Sequence, residues 1–365
     1  MYGSYTGRRR RAVRVGAAVG ALLSLVTLSG CFGSSSSDRE EESIAAAKPA
    51  QRPRNVVPYW VNPDGSAARQ VAAYRRKGED AEAKLIERIA AQPVAEWLGV
   101  DDPEGQARGF TEAAAQEERD SLLVFYNIPH RDCGQYSKGG AADGNTYRAW
   151  LDKAVRGIGD RAVTVILEPD ALPHAVDGCT PKKFLEERYD LLTGAVDKLK
   201  GLPHTKVYLD AGNPHWIKDP RRMAEPLRRA GLKKADGFAL NIANYQTTED
   251  NKAYGKKLSA LVGGKPFVID TSRNGNGPVP GKEDPEAWCN PKGRALGETP
   301  TVRTGDGAVA AYLWIKRPGE SDGTCKGGPK AGQWWPRYAL DLARNVKGRN
   351  VKGRNAKARN VERRG

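Results

Sequence analysis

Two patterns of apolar and polar positions alternate along the middle of the chain. Short, continuously apolar runs recur between residues 121 and 315, and stretches with one apolar face separate them. The runs are typical of strands buried on both faces, and the stretches are typical of amphipathic helices. The predicted strands are Ser121–Tyr126, Val163–Leu167, Lys206–Asp210, Gly237–Asn241, Pro266–Asp270 and Ala308–Ile315. The predicted helices are Ala67–Lys77, Asp80–Ala91, Glu112–Arg119, Thr146–Ile158, Pro181–Lys198, Pro220–Ala230 and Asn251–Leu261. This alternation predicts an α/β fold with a parallel sheet.

Polar or acidic residues follow most of these apolar runs at the point where each strand should end. They are Asn127, Glu168 with Asp170, Asp210, Asn241 with Asn244, and Asp270. Because the carboxyl ends of parallel strands meet on one side of a β/α barrel, this pattern indicates a functional edge there. Six or seven strands are visible, which is one or two fewer than an eightfold barrel contains.

The first 30 residues have the features of an export signal. Five arginines precede an apolar stretch over residues 15–28, and LSGC ends at Cys31. Small residues before a cysteine resemble the lipobox of bacterial lipoproteins, which implies that residues 1–30 are removed and that Cys31 carries a lipid. An ordinary secretory signal with an incidental cysteine is the alternative. A lipid on Cys31 would anchor the protein to the outer face of the membrane.

Charge is concentrated at the two ends of the chain. Residues 1–30 carry +5 and residues 346–365 carry +7 of the formal net charge of +15, which leaves +3 for residues 31–345. The central part is therefore a poor candidate for nucleic-acid binding. We interpret 31–54 as a lipidated cysteine with a disordered linker, 55–345 as the catalytic domain, and 346–365 as a basic low-complexity tail. A protein that binds polyanions through this tail is a rival interpretation.

Cysteine usage agrees with export. Four cysteines remain besides Cys31, namely Cys133, Cys179, Cys289 and Cys325, and an even number in an exported protein predicts two disulfides. Metal binding is the competing interpretation. The chain contains no CxxC motif and no histidine at ligand spacing from a cysteine, so we expect no metal site.

Three aspartates are candidates for acid–base chemistry. Asp132 and Asp170 follow the apolar runs that end near 126 and 167, and Asp322 follows the run that ends near 315. Carboxylates gathered at strand ends suit chemistry on a neutral, hydroxyl-rich substrate. Taken singly, each has a simpler interpretation: Asp132 could pair with Arg131, Asp170 could cap a helix, and Asp322 could be a turn residue.

Six motifs together resemble glycoside hydrolase family 6, whose members include cellulases with a distorted β/α barrel. The resemblance covers about residues 57–343. The motifs are YNIP with RDC at 126–133, ILEPD at 166–170, YLDAG at 208–212, NIANY at 241–245, WCNP at 288–291, and KRPGESDG at 316–323. The resemblance implies a distorted, TIM-like barrel with about seven parallel strands.

The resemblance also implies roles for the catalytic residues. Asp170 matches the general acid, and Asp132 matches the aspartate that keeps this acid protonated and helps to manage the catalytic water. Asp322 matches a candidate base. Tyr126 matches the tyrosine that crowds the sugar at the point of cleavage.

Further matches concern substrate binding and disulfides. Many members have a serine at the position of Lys138, where it positions water, and the neighbouring Ser137 is the expected substitute. Asn213 replaces a frequent histidine. The implied disulfides are Cys133–Cys179 and Cys289–Cys325. The implied sugar contacts are Trp60, Asp210, Trp216, Asn244, Trp288, Lys316 and Glu320.

Indole rings suit the apolar faces of sugars, and the chain has eight Trp against six Phe. Only thirteen residues separate Asn274 from Trp288, so we expect an open groove without the long loops of processive members. Together with the export signal, the resemblance therefore implies an exported, endo-acting β-1,4-glucanase that inverts configuration, acts on a β-glucan and uses no metal or cofactor. A sugar-binding surface lipoprotein that has lost catalysis is the alternative, because Lys138 departs from the family pattern.

Overall fold

The computed structural model describes residues 57–281 and 286–346. The predicted signal peptide, Cys31, the whole of the linker and all but the first residue of the basic tail lie outside these residues. Within the described part of the chain, no helix is long and apolar enough to span a bilayer.

Seven parallel strands form one sheet in chain order, β1 to β7. The strands are β1 Glu96–Trp97, β2 Ser121–Phe125, β3 Val163–Leu167, β4 Thr205–Asp210, β5 Gly237–Leu240, β6 Phe267–Asp270 and β7 Val309–Leu313. The first and last strands approach each other, since the Ala95 amide donates to the Trp314 carbonyl over 3.0 Å and the Trp97 indole donates to the Ile315 carbonyl over 2.9 Å. The prediction of a distorted barrel with about seven parallel strands is confirmed.

Helices cover the outside of the sheet. They are α1 Ser66–Arg76, α2 Asp80–Ala90, α3 Pro103–Gln116, α4 Gly144–Ile158, α5 Ala171–Asp177, α6 Leu185–Lys200, α7 Arg221–Arg229, α8 Thr248–Leu261 and α9 Pro336–Arg344. Two differences from the prediction have local causes. Helix α3 begins nine residues earlier than predicted, because Asp102 caps it by accepting the Gly105 amide and Pro103 occupies its first turn. The seven-residue helix α5 and the two-residue strand β1 are too short to produce a periodic signal.

The side chains of each strand alternate between two apolar layers. Leu123 and Phe125 of β2 pack outward against the helices, whereas Leu122 and Val124 point into the barrel. Every residue of β2 and β3 is buried, which explains their uninterrupted apolar sequences. The interior layer closes the barrel below, so the site can form only at the strand ends.

Candidate active site

The turns that follow the strands place the acidic residues at one edge of the sheet. Tyr126 follows β2, Asp170 lies three residues after β3, and Asp210 is the last residue of β4. Glu168, buried after β3, accepts the amides of Asn127 and Ile128 over 2.9–3.1 Å. This carboxylate therefore holds the turn after β2 against the turn after β3.

A cavity of about 950 Å³ opens at this edge. It contains all but one of the site residues predicted from the sequence. Those that line it are Tyr126, Asp132, Ser137, Asp170, Asp210, Trp216, Asn244, Trp288, Lys316, Glu320 and Asp322. Residues far apart in the chain thus face one space, which the hypothesis of a shared active site requires.

Trp60 is the exception. Its side chain is buried, packs edge-on against Phe110 at 5.1 Å between ring centroids, and donates its indole N–H to Glu117 over 2.9 Å. It is not among the residues that line the cavity. The structure therefore does not bring Trp60 to the cavity, because this tryptophan packs against α3, and its expected role as a sugar platform stays a prediction.

Asp170 is held in a strained turn. Its φ angle is 68° and that of Glu168 is 49°, so two non-glycine residues lie in the left-handed region within three positions. The Asp170 amide donates to Asp210 over 2.6 Å, and the Tyr126 hydroxyl donates to Asp170 Oδ2 over 2.8 Å. Burial raises the pKa of the Asp170 carboxyl despite these stabilising contacts, which favours its neutral form.

Asp132 lies beside Asp170. One carboxylate oxygen of each aspartate and a ring nitrogen of His174 all lie within 4.8 Å of one another. Asp132 is half-buried and accepts the Ser137 amide over 2.5 Å. Burial raises the pKa of Asp132 to about 6, the Ser137 amide opposes this rise, and the charge of Asp170 adds to it. The two aspartates therefore form an acidic pair with unequal surroundings.

Asp322 differs from both, because cations surround it. Arg273 donates to Asp322 Oδ2 over 2.9 Å, and Lys316 Nζ lies 3.4 Å from Oδ1. The Asn290 amide and the Tyr245 hydroxyl also donate to it, over 3.0 and 3.2 Å. Burial alone would raise the pKa of Asp322, but Arg273 and Lys316 outweigh it and lower the pKa. Asp322 is therefore held as an anion.

Two further polar residues of the cavity serve local contacts. Asp210 is buried, accepts the Gly212 amide over 2.9 Å, and has a pKa raised to about 7 by burial and by the charge of Asp170. Glu320 pairs with Arg317 at 3.0 Å. Asp210 thus belongs to the same proton-binding cluster as Asp170.

Trp216 and Trp288 line the same cavity as the acids. Trp216 donates its indole N–H to Asp177 over 2.8 Å, and Asn213 orients this tryptophan by accepting its amide over 3.1 Å. Trp288 lies 6.0 Å from Tyr136, whose hydroxyl bonds to Glu286. The segment that was predicted to leave the groove open includes residues 282–285, which lie outside the described ones, so that expectation stays a prediction.

Sequence reasoning missed two cavity residues, Trp97 and His174. Trp97 packs edge-on against Tyr126 at 5.6 Å and belongs to the two-residue strand β1. His174 follows Asp170 by one helical turn. The sequence was interpreted only for histidines spaced from a cysteine as metal ligands are, and His174 does not have that spacing. Position i+4 from a carboxylate at a helix start is a signal that could have identified His174.

The predicted water-handling residue acts through its backbone. The Ser137 amide donates to Asp132, and the Ser137 carbonyl accepts Arg131 Nε over 2.9 Å. Lys138 is exposed and also lines the cavity. The turn therefore orients Asp132 whichever side chain follows it.

Two groups of residues among the described ones have the spacing of metal ligands. Cys133, His174 and Cys179 are one group, but both sulfurs belong to a disulfide and offer no thiolate. Asp132, Asp170 and His174 are the other. A cation there would compete with the proton that the raised pKa of Asp170 favours.

Both predicted disulfides are confirmed. Cys133 pairs with Cys179 and Cys289 pairs with Cys325. The first bond joins the residue after Asp132 to the segment that follows α5, so it ties the turn of Asp132 to the helix that begins after Asp170. Disulfides persist in oxidising surroundings, which indicates an extracellular protein.

A barrel with paired carboxylates and indole rings at the strand ends defines a class of enzyme, the glycoside hydrolases. The family model for glycosyl hydrolases family 6 matches residues 54–346. The chain belongs to this family.

Similar proteins with known names are endoglucanases. Endoglucanase 1 of Streptomyces halstedii is 45% identical over 315 residues, covering 82% of this chain and 94% of that protein. Endoglucanase A of Cellulomonas fimi is 42% identical over 301 residues, covering 81% of this chain but 63% of that protein's length. The endoglucanase Cel6 of Mycobacterium tuberculosis, solved with a thio-linked methyl cellobiosyl-cellobioside, superposes with a TM-score of 0.74 at 43% identity, covering 80% and 97% of the two chains.

Proposed function

We propose that this protein is an endo-acting β-1,4-glucanase that cleaves cellulose-like glucans with inversion of configuration. The single observation that carries the proposal is the acidic pair: a carboxylate oxygen of Asp132 and one of Asp170 lie within 4.8 Å of each other in a cavity that tryptophan side chains also line. The names of the relatives support the substrate class.

Asp170 is the general acid in this proposal. Tyr126 donates to its Oδ2, so Oδ1 is left to carry the proton that passes to the glycosidic oxygen. Burial raises the pKa of Asp170, which favours the protonated carboxyl that a general acid needs. The ionised neighbour Asp132 supports the same state, because two close carboxylates resist losing both protons.

Asp132 is the partner that keeps Asp170 protonated. Its distance from Asp170 is shorter than the roughly 6.5–9.5 Å that separate acid and base in inverting enzymes, so we do not assign it as the base. Asp322 is the candidate base. Arg273 and Lys316 keep it ionised, so it accepts, directly or through a further water, the proton that the attacking water releases. Trp216 and Trp288 hold the sugar rings, and Asn244, Lys316 and Glu320 offer polar contacts to hydroxyls.

The test is hydrolysis of carboxymethylcellulose and cello-oligosaccharides, with the anomer of the product followed by NMR. We expect an α-anomeric product from the β-linkage. The Asp170→Ala variant should bind cello-oligosaccharides but turn over at least ~10²-fold more slowly. Asp190→Ala, which changes an exposed aspartate on α6, is the matched control. Near-normal turnover by Asp170→Ala would overturn the assignment.

The second candidate is the sugar-binding lipoprotein without catalysis, which the exposed Lys138 at the cavity favours. Wild-type protein that binds cello-oligosaccharides but releases no product would support it.

For localisation, we propose export followed by lipid anchoring through Cys31, with residues 1–30 removed. The sequence of the signal supports this proposal. The expected linker over residues 31–54 supports it too, because it would separate the anchor from the catalytic domain. Plain secretion is the alternative, and replacing Cys31 by serine followed by membrane fractionation distinguishes the two.

A further inference from the structure

Arg188 is a buried cation whose position the proposed mechanism does not use. Its side chain is 3% exposed, no carboxylate of the described residues lies within salt-bridge distance of it, and the charges of Glu168 and Asp170 favour its ionised form from farther away. Its guanidinium donates instead to three backbone carbonyls: Nη1 to Ala171 over 3.0 Å, and Nη2 to Pro129 and His130 over 3.1 Å each. Burying a charge is costly, so this arrangement calls for an explanation.

The three carbonyls belong to the two turns that carry the acidic pair. Pro129 and His130 come directly before the turn of Asp132, and Ala171 comes directly after Asp170. The planar guanidinium, with its rigid fork of donors, is suited to bridging two such segments at a defined distance. One side chain thus bridges the backbone segments that carry Asp132 and Asp170, which lie 38 positions apart in the chain.

Both turns contain strained backbone, which needs such support. The φ angles of His130, Asp132 and Asp170 are 57°, 56° and 68°. Conformations of this kind persist where the surrounding structure holds them. The start of α6 supports the same turn a second time, because the ring of Phe184, four residues before Arg188, stacks on His130 at 4.0 Å.

We infer that Arg188 is a positioning residue that sets the distance between Asp132 and Asp170. The inference rests on the proposed function, because the distance that Arg188 sets decides how strongly the charge of Asp132 acts on the proton of Asp170. The charge of Arg188 itself lowers the pKa of Asp170, so its proposed part is geometric. Arg188 does not line the cavity, so it acts through the two turns and not on the substrate. A residue that only stabilised the core would affect the amount of folded enzyme but not its proton equilibria.

The test compares Arg188→Lys and Arg188→Gln with the full-length wild type on a soluble β-glucan. Lysine keeps the charge and glutamine keeps two donors, but neither presents the fork that reaches both turns. We expect kcat to fall about 10- to 100-fold in both variants, the range that follows from a displacement of about 1 Å, with KM changed less than about twofold. In Arg188→Lys, which keeps the charge, the alkaline limb of the pH–rate profile should move to lower pH, because a wider separation weakens the effect of the Asp132 charge on the proton of Asp170.

The matched control is Arg161→Lys. Arg161 is half-buried and donates to Thr111 Oγ1 over 2.8 Å and to the Gly157 carbonyl over 2.5 Å, at the opposite end of β3 from the acids. The Arg161→Lys variant should keep the kcat and the pH–rate profile of the wild type. Circular dichroism and thermal unfolding give the folded fraction of each variant.

Two results would overturn the inference. One is a wild-type kcat and pH profile in Arg188→Lys and Arg188→Gln. The other is a loss of kcat that only follows the loss of folded protein, with the alkaline limb of Arg188→Lys unmoved. Failure of the proposed function gives different results. In that case Asp170→Ala would retain the activity of the wild type, or the wild type would have no activity.

Discussion

The acidic limb of the pH–rate profile should report the ionisation of Asp132. The proposed mechanism needs Asp132 as an anion, because its charge helps Asp170 to retain a proton. Burial is the largest cause that raises the pKa of Asp132, to about 6 from an ordinary value of 3.8. Activity should therefore fall on acidification well before an ordinary aspartate would take up a proton.

The size of the effect follows from this pKa. At about pH 5, roughly a tenth of Asp132 is ionised if its pKa is about 6, whereas more than about nine tenths would be ionised at the ordinary pKa. We therefore expect kcat at about pH 5 to be about tenfold below the value extrapolated for fully ionised Asp132. Asp322 cannot produce this limb, because Arg273 and Lys316 lower its pKa.

The assay is initial-rate hydrolysis of a soluble β-glucan between about pH 4 and pH 8, for the wild type and for Asp132→Asn. The variant should lose about 10²-fold in kcat, and its residual activity should lack the acid limb. Its alkaline limb should move to lower pH, since the amide no longer supports the protonated form of Asp170. Asp190→Asn on the exposed face of α6 should keep the profile of the wild type.

One result would refute this reasoning: an acid limb near pH 6 that persists in Asp132→Asn. If that limb then disappeared in Asp210→Asn, the titrating group would be Asp210, whose pKa burial and Asp170 raise to about 7. The geometry of the acidic pair would stand, but the role of Asp132 would not.

Two further predictions concern stability. Arg273→Met should lower the free energy of unfolding by about 3–5 kcal/mol in urea titrations, because it leaves the buried Asp322 without its closest cation, and a loss below about 1 kcal/mol would contradict this. The midpoint temperature of thermal unfolding should rise when the pH is lowered from about 8 to about 5. Asp132, Glu168 and Asp210 have folded-state pKa values raised to about 6, 7 and 7, so the folded protein binds these protons more tightly than the unfolded chain, whose carboxyls titrate near pH 4. Their contribution is lost as the pH rises through the folded values, and a midpoint that fell on acidification to pH 5 would disprove it.

Much of the fold could be predicted from the chain alone. The apolar run 163–167 coincides with β3, and the runs near 121 and 205 differ from β2 and β4 by one residue. Strands buried on both faces need continuous apolar sequence, and this is a local signal. Strand β1 and helix α5 could not be predicted, because their stability comes from neighbours and not from their own pattern.

The sequence by itself determined which residue types stand at the strand ends and, through its motifs, which cysteines pair and which aspartates belong to the site. Only the tertiary structure decided what each group does there. Asp132 and Asp322 look alike in sequence, yet burial beside Asp170 raises the pKa of one, and Arg273 and Lys316 lower the pKa of the other. Trp60 and Trp216 look equally suited to bind sugar, but one packs against α3 and the other faces the cavity. The physical reason is that proton affinity and exposure depend on groups distant in the chain, which only folding brings together.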